Sequence, residues 1–457
     1  MTEILKRSKA LSVNPLKASS TLGASLAIMG INRSIPMIHG SQGCTAFGKV
    51  FFVQHFQEPI PLQTSALDQI GTVMGSYDNL VEGLATICSK SKPDFVGVPT
   101  SGLAEVQGFD VEMGVKEFRK KHPEFDRTLV VPVTTPDFRG SLESGFADAV
   151  TQIIKATVPD APGRAGERRK QVNVLVGASL TSGDIETLKE TIEAFGLRPV
   201  VVPDVSGSLD GHLAPETYNA LTTGGTPVSE LATLGLARAT LVVGASMTAP
   251  ADELRSRTGV PDIRFDHLCG LDAFDSLVMA LRDLSGAEVP ERLDRQRAQL
   301  LDAMLDTHFM MGFTRAAIGA DPDLLVALTA LLKGSGAEVT AAVTTAYSPV
   351  LTRSGLETVK IGDLEDLETT ARDTGAEVLI CNSHGVATAE RLGIPVYRAG
   401  FPQFHWFGGF AKTWIGYRGA REVLFDLANI LTASERGEVH PHRSIYGQKR
   451  EYGGRCA

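Results

Sequence analysis

The chain is expected to be an α/β protein, with three Rossmann-like domains whose mostly parallel sheets are flanked by helices. Three observations carry this expectation. Short apolar runs bounded by turn residues recur along the chain, among them Phe95-Val96-Gly97-Val98-Pro99 and Val172-Asn173-Val174-Leu175-Val176. Such runs are typical of strands buried on both faces of a parallel sheet. Each is followed by helical spacing, so strand, loop and helix repeat. At 457 residues the chain exceeds a single ordinary core, and its length points to about three domains.

The first domain is expected over 1–165. Ser19-Ser20-Thr21-Leu22-Gly23-Ala24 leads into the apolar Leu26-Ala27-Ile28-Met29, and Ile35-Pro36-Met37-Ile38 is short and β-like. That run enters His39-Gly40-Ser41-Gln42-Gly43, where two glycines and two small polar residues favour a tight loop. The loop presents a thiol, Cys44; beyond it Phe47, Val50, Phe51 and Val53 have helical spacing, ending near His55-Phe56. A helix with Leu80, Leu84 and Ile87 covers 76–90. The strand from Phe95 ends in Thr100-Ser101-Gly102, with a helix from about Leu103. Leu129-Val130-Val131-Pro132-Val133 opens into Thr134-Thr135-Pro136-Asp137-Phe138, followed by a helix over 142–156. The loops holding Cys44, Gly102 and Thr135 all follow strand ends, where ligands of such folds bind.

The stretch 159–170, rich in Pro, Gly and charge, reads as a solvated linker. The second domain, 166–288, has strands at Val172-Asn173-Val174-Leu175-Val176, Pro199-Val200-Val201-Val202 and Thr240-Leu241-Val242-Val243, with helices over 184–195 and 271–284. Gly177-Ala178-Ser179 and Gly244-Ala245-Ser246 end strands, but neither reaches the GxGxxG or Walker A pattern, so both read as tight βα turns. An amphipathic helix over 292–305, with Leu293, Leu300, Leu301 and Met304, bridges to the third domain, 289–457. Strands there are Arg315-Ala316-Ala317-Ile318, Glu338-Val339-Thr340-Ala341-Ala342-Val343, Val378-Leu379-Ile380-Cys381 and Pro395-Val396-Tyr397-Arg398. Asp321 is placed as an N-cap with Pro322 first in its helix. The last helix covers 417–432, and a polar, basic tail follows.

A net charge of −9 argues against non-specific nucleic-acid binding. No apolar run approaches the ~18 residues of a membrane span, and Met1-Thr2-Glu3-Ile4-Leu5-Lys6-Arg7 lacks the apolar core of a secretory signal. A cytoplasmic protein is expected.

Five cysteines, at 44, 88, 269, 381 and 456, show no CxxC pair. An odd, scattered set in a long chain is neither a disulfide framework nor a self-contained metal site. Any metal centre must draw ligands from distant segments or another chain. Cys44, at a glycine-rich strand-to-helix corner where the helix dipole favours an anion, is either a small packed hydrophobe or a cluster ligand. Cys88, Cys269 and Cys381 lie among apolar residues and read as packing; Cys456 has no obvious partner. His384, at a strand end, reads as a loop histidine hydrogen-bonded for structure, with a ligand role in an interdomain cleft as the alternative. His39 is expected to orient its loop by hydrogen bonding, and His405-Trp406-Phe407 to pack or meet another subunit.

His39-Gly40-Ser41-Gln42-Gly43-Cys44, with Phe51-Phe52, His55-Phe56 and Glu58-Pro59, resembles the cluster-binding segment of the nitrogenase β-subunit superfamily. That superfamily includes the β subunit of the molybdenum–iron protein and the NifN family of the cofactor-assembly scaffold NifEN. The likeness continues in order through Lys92-Pro93-Asp94, Ala104-Glu105-Val106, Thr135-Pro136-Asp137-Phe138 with Gly140-Ser141, Gly400-Phe401-Pro402, Gly416-Tyr417 and Gly419-Ala420. It covers nearly the whole chain and implies the three-domain nitrogenase-like fold.

In the catalytic β subunit three cysteines bind the eight-iron P-cluster. By resemblance those positions fall here on Ser19, Cys44 and Gly102; Ser19 comes from counting back without a gap, Gly102 from the adjacent Ala104-Glu105-Val106. Glycine cannot ligate iron, and a serine oxygen is a poor substitute for thiolate. One thiolate fits one corner of a [4Fe-4S] cluster shared with a partner, the division expected of the NifN branch. The implied role is assembly, not nitrogen reduction by this chain alone. No catalytic residue is assigned; Cys44 is the one metal and cofactor residue. The implied partners are NifE, in a pair that dimerises to α2β2, the Fe protein NifH, NifB upstream, and the molybdenum–iron protein as recipient of the cofactor. The iron–sulfur precursor of that cofactor would sit transiently, mainly on the partner. The alternatives are a catalytic nitrogenase β subunit, a vanadium-system scaffold homologue, a dark-operative protochlorophyllide reductase B subunit, and a cluster-free α/β protein binding a small molecule.

Overall fold

The structure is a computed structural model and describes residues 2–7, 12–67, 77–136, 138, 140–213 and 220–435. The strands among these residues form three sheets, parallel throughout. β1 (Glu3–Leu5) is set apart from its neighbours in sequence. β2 (Ser34–Ile38), β3 (Gln63–Thr64), β4 (Phe95–Pro99) and β5 (Leu129–Val133) make the first sheet, in the order β3-β2-β4-β5. β6 (Arg168–Val176), β7 (Arg198–Val202), β8 (Ala237–Val243) and β9 (Asp262–Phe265) make the second, in the order β7-β6-β8-β9. The third runs β1-β12-β11-β10-β13-β14, from β10 (Arg315–Ala320), β11 (Glu338–Thr344), β12 (Thr358–Ile361), β13 (Val378–Cys381) and β14 (Val396–Arg398).

Central strands are apolar and buried on both faces, as their composition predicts; all five residues of β4 are buried. β1, β3, β9 and β12 were not anticipated. Each has two to four residues with little fully buried side chain, and β1, β3 and β9 are sheet edges. Only a neighbour's backbone defines such strands. The basic Arg168-Arg169-Lys170 is not linker but the exposed start of β6. The polar tail with Cys456 lies outside the described residues.

Two features hold the molecule's centre. The helix Ser20–Met29 is buried at all ten positions, which explains its apolar composition on every side. It crosses the helix Leu142–Thr157 at backbone contact, with Gly23 facing Leu142 and Gly145 facing Ser20. The second is a carboxyl cluster joining all three sheet regions. Asp321 holds the N-cap position before Pro322–Gly334, but its carboxylate bonds the Thr345 hydroxyl instead of capping. The cap comes from Glu143, whose carboxylate accepts the N–H groups of Asp323 at 3.1 Å and Leu324 at 3.4 Å. Asp323 in turn accepts the N–H of Ser246 at 3.0 Å.

Burial, then the neighbouring Asp323 and Asp321, raises Glu143 well above the usual carboxylate range; burial raises Asp323 to about 6. A raised folded pKa gives stability that is present below the unfolded pKa and lost as pH rises through the folded one. Thermal stability should therefore fall from about pH 5 to about pH 8, and more steeply in wild type than in Glu143→Gln, which keeps an acceptor oxygen without a titrating proton. Parallel melting profiles for the two proteins would contradict this. Asp275 and Glu368, held low by their arginine partners, act in the opposite sense only at lower pH.

Candidate functional site

The first sheet delivers its strand ends to one place. β2 and β4 are neighbours, so the loops leaving them run side by side. The His39 N–H donates to the Pro99 carbonyl at 2.8 Å and the Ser101 N–H to the His39 carbonyl at 3.0 Å. Gly40 permits this approach, since a Cβ there would lie 2.5 Å from the Ser101 Oγ. The next loop is tied in by Thr135, whose N–H donates to Thr100 Oγ1 at 2.8 Å and whose hydroxyl donates to the Thr100 carbonyl at 2.5 Å. Thr21 donates to that same carbonyl at 2.9 Å. The loops of Cys44, Gly102 and Thr135 thus meet.

The helix Gln42–Phe56 begins at Ser41, which places Cys44 in its first turn, where unpaired N–H groups carry partial positive charge. The Ser41 hydroxyl donates to the Cys44 thiol at 3.4 Å, and the thiol is exposed. Cys44 lines a cavity of about 410 Å³ together with Ser19, Ser101, Phe47, Phe51 and His384. Ser19 is occupied structurally: its hydroxyl accepts the Leu22 N–H at 3.2 Å as a helix N-cap. Gly102 starts the helix Gly102–Val106 and contributes no donor, while its neighbour Ser101 caps that helix.

The Phe47, Val50 and Val53 stripe, read as a sign of a helix, does not face the core. Phe52 and Phe56 do. Phe47 is 73% exposed and Val106 79%, with Val50 and Leu103 also exposed, so an apolar surface flanks Cys44.

His39 departs from expectation. It is fully buried and stacked on Phe109 at 3.9 Å, yet neither ring nitrogen has a hydrogen-bond partner; its backbone orders the loop. Burial lowers its pKa to about 4, leaving the ring neutral. His384 keeps the hydrogen bond of a structural loop and also faces a cavity. Its backbone N–H is held by Asn382, but its ring enters the cavity shared with Cys44. Sequence reasoning missed Ser101 and Lys17 on the cavity wall; Phe401-Pro402, also there, belonged to a motif that was noticed without a role. Cys88, Cys269 and Cys381 are buried, and burial pushes the Cys381 thiol up to about 12. In the His405-Trp406-Phe407 patch, Trp406 lies under the Arg398 guanidinium at 4.7 Å.

Among the described residues no group of three or more His, Cys, Asp or Glu is placed to hold a metal ion. Cys44 is the one thiol lining this cavity, so the described residues do not by themselves supply a ligand set for a cluster. No helix among the described residues is long and apolar enough to cross a membrane.

Residues 19–432 match the family model for nitrogenase component 1 type oxidoreductases. The chain is 44% identical over 434 residues to the nitrogenase iron-molybdenum cofactor biosynthesis protein NifN of Bradyrhizobium diazoefficiens, covering 95% of this chain and 92% of that one. It is 40% identical over 446 residues to the NifN of Klebsiella pneumoniae, covering 98% and 95%. A solved structure, nitrogenase Cp1 at pH 6.5, aligns with a TM-score of 0.88 at 28% identity, covering 94% of this chain and 96% of that one. A second chain, nitrogenase Cp1 at pH 5, aligns at 0.70 with 13% identity, covering 95% and 92%, and speaks for the fold alone. With its fold, its ordered motifs and its full-length relatives in agreement, this chain belongs to the nitrogenase component 1 type oxidoreductase family and, within it, to the NifN family.

Proposed function

We propose that this chain is one subunit of a NifEN-type scaffold on which the nitrogenase iron–molybdenum cofactor is assembled, and that Cys44 ligates a [4Fe-4S] cluster shared with a NifE partner. One observation carries the reading. Of the three positions that resemble P-cluster cysteines, only Cys44 keeps a thiol, while Ser19 caps a helix and Gly102 has no side chain. When bound, the cluster supplies one-electron transfer, in line with relaying electrons from NifH. This chain's residues do the rest: Ser41 donates to the thiol, the helix Gln42–Phe56 carries Cys44 in its first turn, and Phe47 and Phe51 line the cavity beside it.

The iron–sulfur precursor is cargo. It comes from NifB, rests mainly on NifE, receives molybdenum and homocitrate through NifH, and leaves for the molybdenum–iron protein. The exposed apolar surface beside Cys44 is the natural seat of NifE. A one-thiol site is incomplete in an isolated chain, so cluster binding and pairing are thermodynamically linked, and the pair dimerises to α2β2.

The test is iron content and EPR of the complex co-expressed with its partner, wild type against Cys44→Ala. The reduced complex should show a cubane-type signal that weakens or changes in the variant, with cluster retention against a chelator reduced about tenfold or more. An unchanged signal and iron count would make Cys44 ordinary packing.

A further inference from the structure

We propose that His384 is a positioning residue for the cluster at Cys44, donating a ring N–H hydrogen bond to a sulfur of that cluster; this rests on the function proposed above. His384 comes from the third sheet, at the corner after β13, yet its ring lines the same cavity as Cys44 on the first domain's helix. The corner is rigid. The Asn382 side-chain Oδ1 accepts the His384 backbone N–H at 3.1 Å, and the Asn382 side-chain amide donates to the Phe401 carbonyl at 3.0 Å and the Leu16 carbonyl at 3.4 Å. Ser383 pins the opposite side by donating to the Phe404 carbonyl at 3.1 Å and accepting the Phe404 N–H at 2.9 Å.

The ring itself stands edge-on between Phe51, at 5.8 Å, and Phe404, at 5.3 Å. Phe51 lies seven residues beyond Cys44, about two turns along the same helix face. The aromatic contacts hold the imidazole, and the hydrogen bond of His384 to Asn382 uses its backbone N–H and leaves the ring nitrogens to the cavity. Burial is the one influence on its protonation and favours the neutral ring, which carries one N–H. The cavity wall is mixed, with Lys17, Ser19, Thr21 and Ser101 beside Phe47, Phe51, Leu22 and Ile38, and the half-buried His384 ring shares it with Cys44, where an acceptor sulfur would be held. Hydrogen bonds to cluster sulfurs favour the more negative, reduced state and raise the reduction potential.

The experiment is a dithionite titration of the co-expressed complex, followed by EPR, on wild type, Cys44→Ala, His384→Phe and His384→Gln. Phenylalanine keeps the ring contacts and removes the N–H; glutamine restores a donor. His384→Phe should therefore disfavour the reduced cluster about tenfold, a midpoint lower by about 59 mV for a one-electron couple, with iron content retained. His384→Gln should recover most of that shift. Equal midpoints for wild type and His384→Phe, or equal shifts for the two variants, would overturn the assignment. If His384→Phe does not assemble, His384→Asn against His384→Leu makes the same comparison of donor with non-donor. A Cys44→Ala complex with an unaltered signal would instead sink the cluster reading itself, so the two failures are distinct.

Discussion

Alanine at Gly23 should lower the unfolding free energy by about 2–3 kcal/mol, although alanine is the better helix former. A Cβ at Gly23 would lie 1.9 Å from the Leu142 carbonyl oxygen and 2.9 Å from the Phe146 nitrogen, and both are backbone. A flexible side chain can move aside; a helix backbone moves only as a whole. The propensity gain is about 1 kcal/mol, while separating two packed helices costs about 3 kcal/mol or more, so the clash wins. Gly145→Ala meets the Ser20 carbonyl at 1.9 Å and should cost a similar amount. The two share one crossing, so the double variant should cost less than the sum, because helices already parted accept the second methyl. Scanning fluorimetry should show each single variant melting about 5 °C or more below wild type. Unchanged melting would mean that the helices do not touch as described. The consequence reaches function, because Ser19, Thr21 and Leu22 at the start of this helix line the Cys44 cavity.

Asp184→Ala should be more damaging, by about 3–5 kcal/mol. One oxygen of Asp184 accepts the N–H groups of Trp414 at 2.6 Å and Ile415 at 3.0 Å, and the other accepts the Thr181 N–H at 3.0 Å. Alanine orphans three donors, two of them buried, each costing about 1–3 kcal/mol with less than full additivity. The carboxylate joins the helix Ser182–Ala194 of the second domain to the segment before the last helix, Gly416–Glu435. Burial raises its pKa to about 6 despite those three bonds. Its contribution is therefore fullest below the unfolded value and is lost as pH rises through about 6. Asp184→Asn, which keeps one acceptor, should lose less than alanine, and its deficit should shrink as pH increases. Urea denaturation of the three proteins at two pH values checks both points; equal midpoints for wild type and alanine would refute the role.

The division between legible and illegible runs along a physical line. Buried parallel strands such as β4 and β8 announce themselves, because burial on both faces demands a continuous apolar run. The turn chemistry around Cys44 is equally local, and the residues at 19 and 102 are read directly, so the family resemblance and the one-ligand expectation it implies needed no coordinates. Edge strands such as β1 and β9 escaped, since each is three or four residues of mixed polarity with no fully buried side chain. The helical spacing of Phe47 and Val50 was legible but their outward direction was not: periodicity marks a helix, not which side of it meets the core.

By itself the sequence determined the α/β class, the repeating strand–loop–helix order, the cysteine count and the single thiol of the motif, because each depends on the identity of neighbouring residues. Only the tertiary structure decided what meets what. Glu143 caps a helix 180 positions away, the His39 ring is buried with neither nitrogen hydrogen-bonded, and His384 reaches the cavity of Cys44 from another sheet. Those juxtapositions depend on how separate sheets pack, and hydrogen-bonding and burial between distant segments leave no period or spacing in the chain from which they can be read.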